Sequence, residues 1–187
     1  MTQVGGVTAG WWGESLIPGP PLSTLASPGQ FKAAMRKLTG GVTVVTAASD
    51  GSRVGVTATA ICSVSAEPPH LLCCINTASM AHGPIHSAGA YCLNVLAHDQ
   101  ENVARCFAGW DKTPHERRFD NGRWTSLTTG APALDGALAN FDCIVTQEIS
   151  LATHTIFIGR VVGVRIEDRS LPLIYSEGRF TTLKQEP

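Results

Sequence analysis

A stretch of small and hydroxyl-bearing residues, 55–76, contains the groups in this sequence best suited to binding a flat polar ligand. Thr57 and Thr59 are two residues apart, as are Ser63 and Ser65, so each pair shares one face of an extended chain. The small residues around Gly55 would let backbone N–H and C=O groups approach a ligand, and the hydroxyls could hydrogen-bond its polar rim. The same spacing also fits an ordinary two-faced strand with Thr at solvent positions. Spacing alone leaves both interpretations open.

The other candidates for metal binding or catalysis form weaker patterns. His82 and His86 have the H-x-x-x-H spacing of metal ligands, but Gly83 and Pro84 between them are expected to spoil the helix that would aim both at one ion. A lone histidine at the start of a predicted strand, His154, is more often a structural residue than a catalytic one. No G-x-G-x-x-G follows a predicted strand, which argues against a Rossmann nucleotide domain. The residue patterns therefore predict neither a metal site nor a catalytic triad.

Length, charge and cysteine content restrict the class of protein. The chain has 187 residues, enough for one domain with a cofactor pocket. Its formal net charge of -1 produces no positive electrostatic field that would attract nucleic acid or an anionic membrane. Its 6 cysteines include no C-x-x-C pair and lie mostly in apolar runs, which is typical of reduced thiols. There is no apolar run of about 18 residues and no signal-peptide pattern. We therefore expect a soluble, cytoplasmic protein.

The hydrophobic periodicity predicts many short strands and few helices. Helices are expected over 30–38, ending at the glycine pair Gly40-Gly41, over 98–107, and in a short segment broken at Pro84 that ends at Gly89. Strands are expected over 41–48, 91–96, 137–149 and 154–168, together with a strand, a turn at Pro68-Pro69 and a second strand within 55–76. A turn is predicted at Pro132. This order favours a mainly β fold with a few helices, a β-barrel rather than a parallel α/β sheet.

The first 29 residues differ in composition from the rest of the chain. They are rich in Gly, Pro, Ser and Thr, and Trp11 and Trp12 are their large anchors. Such a segment cannot form a helix or a central strand, so we expect an N-terminal arm, residues 1–29, followed by one domain, residues 30–187. The two tryptophans indicate that part of this arm docks on a surface.

The motif GVTATAICSVSAEPPHLLCCIN, followed by NVL-x-H-x-Q-E and FAG, resembles the signature of the flavin reductase family, whose fold is an FMN-binding split β-barrel with Greek-key-like connections. The TATA-x-CSV variant is most similar to the small reductase component of 4-hydroxyphenylacetate 3-monooxygenase and to similar two-component flavin monooxygenases. The resemblance runs from about Phe31 to Leu183. It covers nearly all of the chain after the arm.

The resemblance assigns the site residues in three groups. The flavin ring edge would lie along Gly55, Val56, Thr57, Ala58 and Thr59, with further cofactor contacts from Ala60, Ser63 and Phe107. The ribityl chain and phosphate would be held by Cys74, Ile75, Asn76, Ser79, Met80 and Ala81. The nicotinamide would lie against the catalytic residue His154 and the closing segment with Tyr175, Gly178 and Arg179.

The sequence departs from the family pattern at two positions. The usual Ser-Phe is Ala60-Ile61 in this chain, and the usual Arg-Phe is Cys106-Phe107. The first change also occurs within the narrower subgroup. The second removes an arginine that could contact a phosphate.

The resemblance implies an NADH-dependent reductase of FAD or FMN that supplies reduced flavin to a separate monooxygenase, with NADPH as an alternative donor. It also implies a homodimer, because the flavin of the family lies in a groove near the subunit interface. Two alternatives remain open. One is a flavin-dependent reductase of another acceptor, a corrinoid or iron, and the other is a non-catalytic module that binds flavin or haem.

Overall fold

The computed structural model describes residues 26–168 and 171–184. The predicted arm, with Trp11 and Trp12, lies outside the described residues except for its last few positions. The chain divides into two compact units, one ending at Met35 and the other beginning at Arg36.

The described part of the first unit contains the helix α1, Pro28–Met35. Its start is a capping box: the Gln30 amide donates to Ser27 Oγ at 3.2 Å, and the Ser27 amide donates to Gln30 Oε1 at 2.9 Å. The predicted helix is therefore confirmed, although it ends at Met35 rather than reaching Leu38.

The second unit is built mainly from antiparallel strands. Seven of them, in chain order, are β2 (Thr43–Ser49), β3 (Ser52–Ala58), β4 (Ile61–Ala66), β5 (Pro69–Asn76), β6 (Ala90–Val95), β9 (Ala139–Leu151) and β10 (His154–Ile166). These seven form one sheet in the order β3-β2-β6-β9-β10-β5-β4. The two edge strands, β3 and β4, are consecutive in the chain, and the Cys74 amide donates to the Ala60 carbonyl between them at 3.0 Å. Only Thr59 and Ala60 separate these two edge strands, so the edges of the sheet lie close together as in a barrel, and the predicted fold class is confirmed.

The remaining described elements lie around this sheet. A small sheet joins β1 (Gly40–Gly41), β11 (Ile174–Ser176) and β12 (Arg179–Thr181), and a hairpin pairs β7 (Trp124–Ser126) with β8 (Pro132–Leu134). The helices are α2 (His82–Ala88), α3 (Glu101–Phe107) and two 3-10 helices, His98–Gln100 and His115–Asp120.

The two larger of three clusters of buried side chains hold the second unit together. The first fills the barrel with residues such as Val45, Leu93 and Phe157. The second packs α3 against the small sheet and includes Leu96 and Phe107. Because the second cluster fixes the end of α3 beside β3, it positions the cavity described below.

Two local predictions were wrong for identifiable reasons. Pro84 does not break its helix, because it lies in the first turn of α2, where a missing amide costs no intrahelical hydrogen bond. Pro132 is not a turn residue but begins β8, opposite Ser126 of β7. A proline is tolerated at the first residue of a strand.

Candidate functional site

A cavity of about 290 Å³ opens where the end of β3 meets the end of α3 and the closing hairpin β11–β12. It is lined by Val42, Val56, Thr57, Ala58, Thr59, Phe107, Ala108, Trp110, Tyr175 and Phe180. Three separate parts of the predicted site, the 56–59 segment, Phe107 and Tyr175, thus meet in one place.

Gly55 adjoins the cavity and is explained by packing. A Cβ at this position would lie 2.6 Å from Phe107 Cε1 and 3.2 Å from Thr46 Cγ2. The Phe107 ring is buried and makes edge contacts with Phe119 and Trp124, at centroid distances of 5.1 and 5.5 Å. The absence of a side chain at position 55 therefore lets Phe107 close the cavity.

The hydroxyl of Thr57 has a structural partner. It donates to the Ala104 carbonyl of α3 at 2.8 Å, which ties β3 to the helix. Thr59 lies beyond the last paired residue of β3 and is exposed. This segment is therefore a regular strand that also forms one wall of a cavity, and its contact with a ligand stays a prediction.

The opposite wall of the cavity is aromatic. Trp110 and Phe180 lie with ring centroids 5.2 Å apart, and the Tyr175 ring is 5.5 Å from Phe180. Sequence reasoning assigned Tyr175 but missed Trp110 and Phe180. Trp110 directly follows the FAG motif and Phe180 directly follows the assigned Arg179, so the sequence offered a signal for both positions.

A second group of predicted residues meets at the end of β5. His154, the first residue of β10, pairs with Asn76, and the Thr77 amide donates to the Thr153 carbonyl at 2.9 Å. Nδ1 of His154 is 2.9 Å from Thr153 Oγ1, which leaves Nε2 available to a ligand. The half-buried imidazole therefore has a defined orientation.

The turn after Asn76 is held by its own side chains. Asn76 Oδ1 accepts from the Ala78 amide at 2.8 Å, and Ser79 Oγ accepts from the Ala81 amide at 3.2 Å. Met80 at its tip is exposed. This turn lies beside His154, and its assignment to the ribityl chain and phosphate stays a prediction.

The bond from the Cys74 amide to the Ala60 carbonyl connects the two groups. Ala60 follows the strand wall of the cavity, and Cys74 lies two residues before Asn76 on β5. The predicted residues therefore form a band from the aromatic cavity to the turn beside His154.

Several predicted residues occupy other environments. The side chains of Ile75 and Ala81 are buried in the barrel core. Ser63 lines a different cavity, of about 570 Å³, together with residues such as His70 and Phe141. Gly178 and Arg179 are exposed in and after the β11–β12 turn, where Gly178 has φ +82.

The cysteines behave as small apolar residues. All 6 are free thiols. Cys73 is buried and its neighbour Cys74 is half-buried, as the predicted opposite faces of a strand require. Burial raises the pKa of Cys143 to about 12 and raises the pKa of Cys73 and Cys92 further, so these thiols stay protonated at neutral pH.

Position 106, where the family pattern has arginine, faces the second core cluster. The Asn121 side-chain amide donates to Cys106 Sγ at 3.3 Å, and burial raises the pKa of this thiol. Cys106 does not line the cavity.

His82 and His86 both lie on α2 but have different partners. His82 Nε2 is 2.9 Å from Thr155 Oγ1, and His86 Nδ1 is 2.8 Å from Glu148 Oε2. The expectation that Gly83 and Pro84 spoil this helix was wrong. In residues 26–168 and 171–184, no group of three or more His, Cys, Asp or Glu could hold a metal ion.

The sheet is curved and antiparallel, and its cavity has the size of a ring system. One side of the cavity is aromatic, and the other consists of strand backbone and hydroxyl groups. These features define a β-barrel protein that binds a flat ligand. Across the described residues, no helix has the length and hydropathy of a membrane span.

The chain belongs to the flavin reductase family: the model of the flavin reductase like domain matches residues 35–184. A relative from Methylorubrum populi, named FMN reductase (NADH) RutF, is 40% identical over 157 residues, which are 84% of this chain and 77% of the relative. The family resemblance drawn from the sequence is thereby confirmed.

Solved structures agree with this assignment. BorF, the flavin reductase component of a bacterial two-component tryptophan halogenase, is 33% identical with a TM-score of 0.78, over 86% of this chain and 100% of BorF. The NADH:FAD oxidoreductase SgcE6 of Streptomyces globisporus, in complex with NAD and FAD fragments, is 30% identical with a TM-score of 0.77, over 86% of this chain and 96% of SgcE6.

Proposed function

We propose that this protein is an NADH-dependent flavin reductase that reduces FMN or FAD and releases it to a separate oxygenase. The observation that supports this most directly is the convergence of the 56–59 segment, Phe107 and Tyr175 on one cavity in a chain of the flavin reductase family. The names of the relatives, an NADH-dependent FMN reductase and an NADH:FAD oxidoreductase, support the same donor and acceptor.

The residues present fit a flavin. The aromatic wall and the apolar side chains of Val42 and Val56 suit a flat ring system, and exposed Thr59 offers a hydroxyl to its polar edge. The band through Ala60 and Cys74 leads from there to the Asn76–Ala81 turn, where backbone and hydroxyl groups suit a ribityl phosphate.

When bound, the flavin accepts a hydride from the nicotinamide, so the protein needs no acid or base of its own for that step. The protein's task is to hold the two rings in contact and to exclude water. Phe107, supported by Phe119 and Trp124, makes one side of the cavity rigid. We assign to His154 Nε2 a hydrogen bond to the nicotinamide side, and to Tyr175, Gly178 and Arg179 the edge of that subsite.

The direct test is oxidation of NADH at 340 nm by the purified protein, with and without added FMN, FAD and riboflavin. We expect turnover that depends on added flavin, because the reduced flavin must leave to reach its oxygenase. A bound visible spectrum without NADH oxidation would instead identify a binding module. Activity that required an added corrinoid or ferric acceptor would identify the other alternative.

The outer face of the barrel indicates a dimer. On the face opposite α2, Gln147 pairs with Ile158, and the other paired residues are apolar across three strands and half-buried or exposed in the described chain. The apolar residues are Leu72 and Cys74 of β5, Ile156 and Ile158 of β10, and Ile149 and Leu151 of β9. His154 and Asn76 form the next pair on this face, so a partner bound here would lie beside the proposed site. We propose that two copies pair through this outer face.

Replacing Ile149, a side chain 42% exposed, with aspartate is expected to weaken that pairing about 100-fold or more, because an unpaired charge in an interface is costly. Light scattering after size exclusion should give twice the chain mass of 19.7 kDa for the native protein and a monomer for the variant. The control is Leu183→Asp, which introduces the same charge at an exposed site outside the sheet. A monomeric native protein would refute the proposed dimer.

We also propose a cytoplasmic location. The 6 free thiols support it, because a reducing compartment preserves them.

A further inference from the structure

Trp110 stands at the rim of the aromatic cavity with 48% of its surface exposed. Tryptophan is the largest apolar side chain, and leaving half of it in water forgoes much of the burial it could contribute. An indole left exposed at the rim of a cavity is therefore a candidate contact for a bound ligand.

The indole is held in place from several sides. Gly109, with φ +73, turns the chain out of α3, and the Trp110 amide then donates to the Arg105 carbonyl at 3.0 Å. The Arg105 guanidinium lies 5.5 Å from the Trp110 ring and 5.4 Å from the Phe180 ring. Glu101 fixes that guanidinium through a hydrogen bond of 2.7 Å to Nε. The ring is thus both exposed and preorganised, which is the state in which an aromatic platform binds with little loss of entropy.

The size of the cavity limits what it encloses. At about 290 Å³ it is at the lower end of the range of ligand pockets, ~300 to 1,000 Å³, and has room for one ring system only. A dinucleotide has two ring systems joined by a pyrophosphate, so its second ring must lie at or beyond the rim. Trp110 is the exposed aromatic residue at that position.

We propose that Trp110 is a binding residue that stacks on the adenine ring of a dinucleotide whose other ring occupies the cavity. This inference rests on the proposed function and deepens it, because it makes the protein selective for adenine dinucleotides over the corresponding mononucleotides. Adenine is flat and uncharged, and base stacking on an aromatic side chain needs no further recognition.

Both NADH and FAD carry adenine, so the test compares each with its adenine-free counterpart. Steady-state rates are measured for NADH against reduced nicotinamide mononucleotide, and for FAD against FMN, with native protein and with Trp110→Ala. We expect KM for at least one dinucleotide to rise about tenfold more than KM for its mononucleotide, within the range of base–aromatic stacking, because only the dinucleotide loses the adenine contact. Trp110→Phe should retain most of the affinity, because it keeps an aromatic ring.

Several results would overturn the proposal. One is an equal rise in KM for dinucleotides and mononucleotides, which would show that Trp110 acts only as part of the cavity wall and does not contact adenine. Another is no change in any KM, and a third is a change in oligomeric mass without a dinucleotide effect. If Trp110→Ala does not fold, Trp110→Leu keeps apolar volume without a ring and is tested in its place. Native protein that reduces FMN with reduced nicotinamide mononucleotide shows flavin reduction independently, so failure of this inference is distinct from failure of the proposed function.

Discussion

Replacement of His154 by alanine is expected to lower kcat/KM for NADH by about 10- to 100-fold while flavin affinity stays close to native. The reason is positional: Nδ1 lies 2.9 Å from Thr153 Oγ1, which orients the ring and leaves Nε2 to contact the nicotinamide in the proposed complex. Losing an orienting contact that places two reacting rings can cost about 100-fold in rate. The measurements are NADH titrations at saturating flavin and flavin titrations followed by fluorescence.

Two further variants sharpen this test. His154→Gln keeps an amide near the position of Nε2 and should recover part of the lost rate. His98→Ala removes an exposed histidine from a 3-10 helix and should leave both parameters unchanged. Unchanged kinetics for His154→Ala would remove this residue from the site. If flavin affinity fell as well, His154 would be assigned to the flavin and not to the nicotinamide.

The second large effect is expected at Gly55, where alanine should destabilise the protein by about 1 to 3 kcal/mol, the usual cost of overpacking a core. The new Cβ would lie 2.6 Å from Phe107 Cε1, and this ring cannot withdraw because Phe119 and Trp124 pack against it. Since Phe107 also lines the cavity, flavin affinity should fall with stability. Urea denaturation and flavin titration measure the two effects.

Gly83→Ala is the matched control. A Cβ there would meet nothing within 4 Å, and alanine favours a helix over glycine by up to about 1 kcal/mol. We therefore expect native or slightly higher stability. The double variant Gly55→Ala with Phe107→Leu should lose less than the sum of the single changes, because a smaller side chain makes room for the new methyl group. Additive losses would show that the Phe107 contact is not the cause.

The sequence determined the fold class because its signals are local. Alternating apolar residues and turn residues such as Asp50 and Gly51, which both take positive φ, specify strands and hairpins without reference to distant parts of the chain. Local signals failed at Pro84 and Pro132, where the position of a proline within its element decides whether it is tolerated.

Motif order in the sequence also identified the family and named most of the band from the 56–59 segment to the Asn76–Ala81 turn. It could not distinguish the face on which each residue lies. Ile75 and Ala81 were assigned to the ribityl chain and phosphate, yet their side chains point into the core, and Ser63 faces a separate cavity. Strand register fixes these faces, and register depends on pairing between distant strands.

The tertiary structure alone decided which residues meet at the aromatic cavity. Phe107, Trp110 and Phe180 come from the end of α3, the loop after it and the closing hairpin, and only packing brings them together. The packing role of Gly55 was likewise invisible in the sequence, since a glycine beside hydroxyl residues suggests contact with a ligand but gives no sign that it also accommodates Phe107. Periodicity and composition act over a few residues, but a cavity is formed by contacts between residues far apart in the chain, and those contacts exist only once the core has packed.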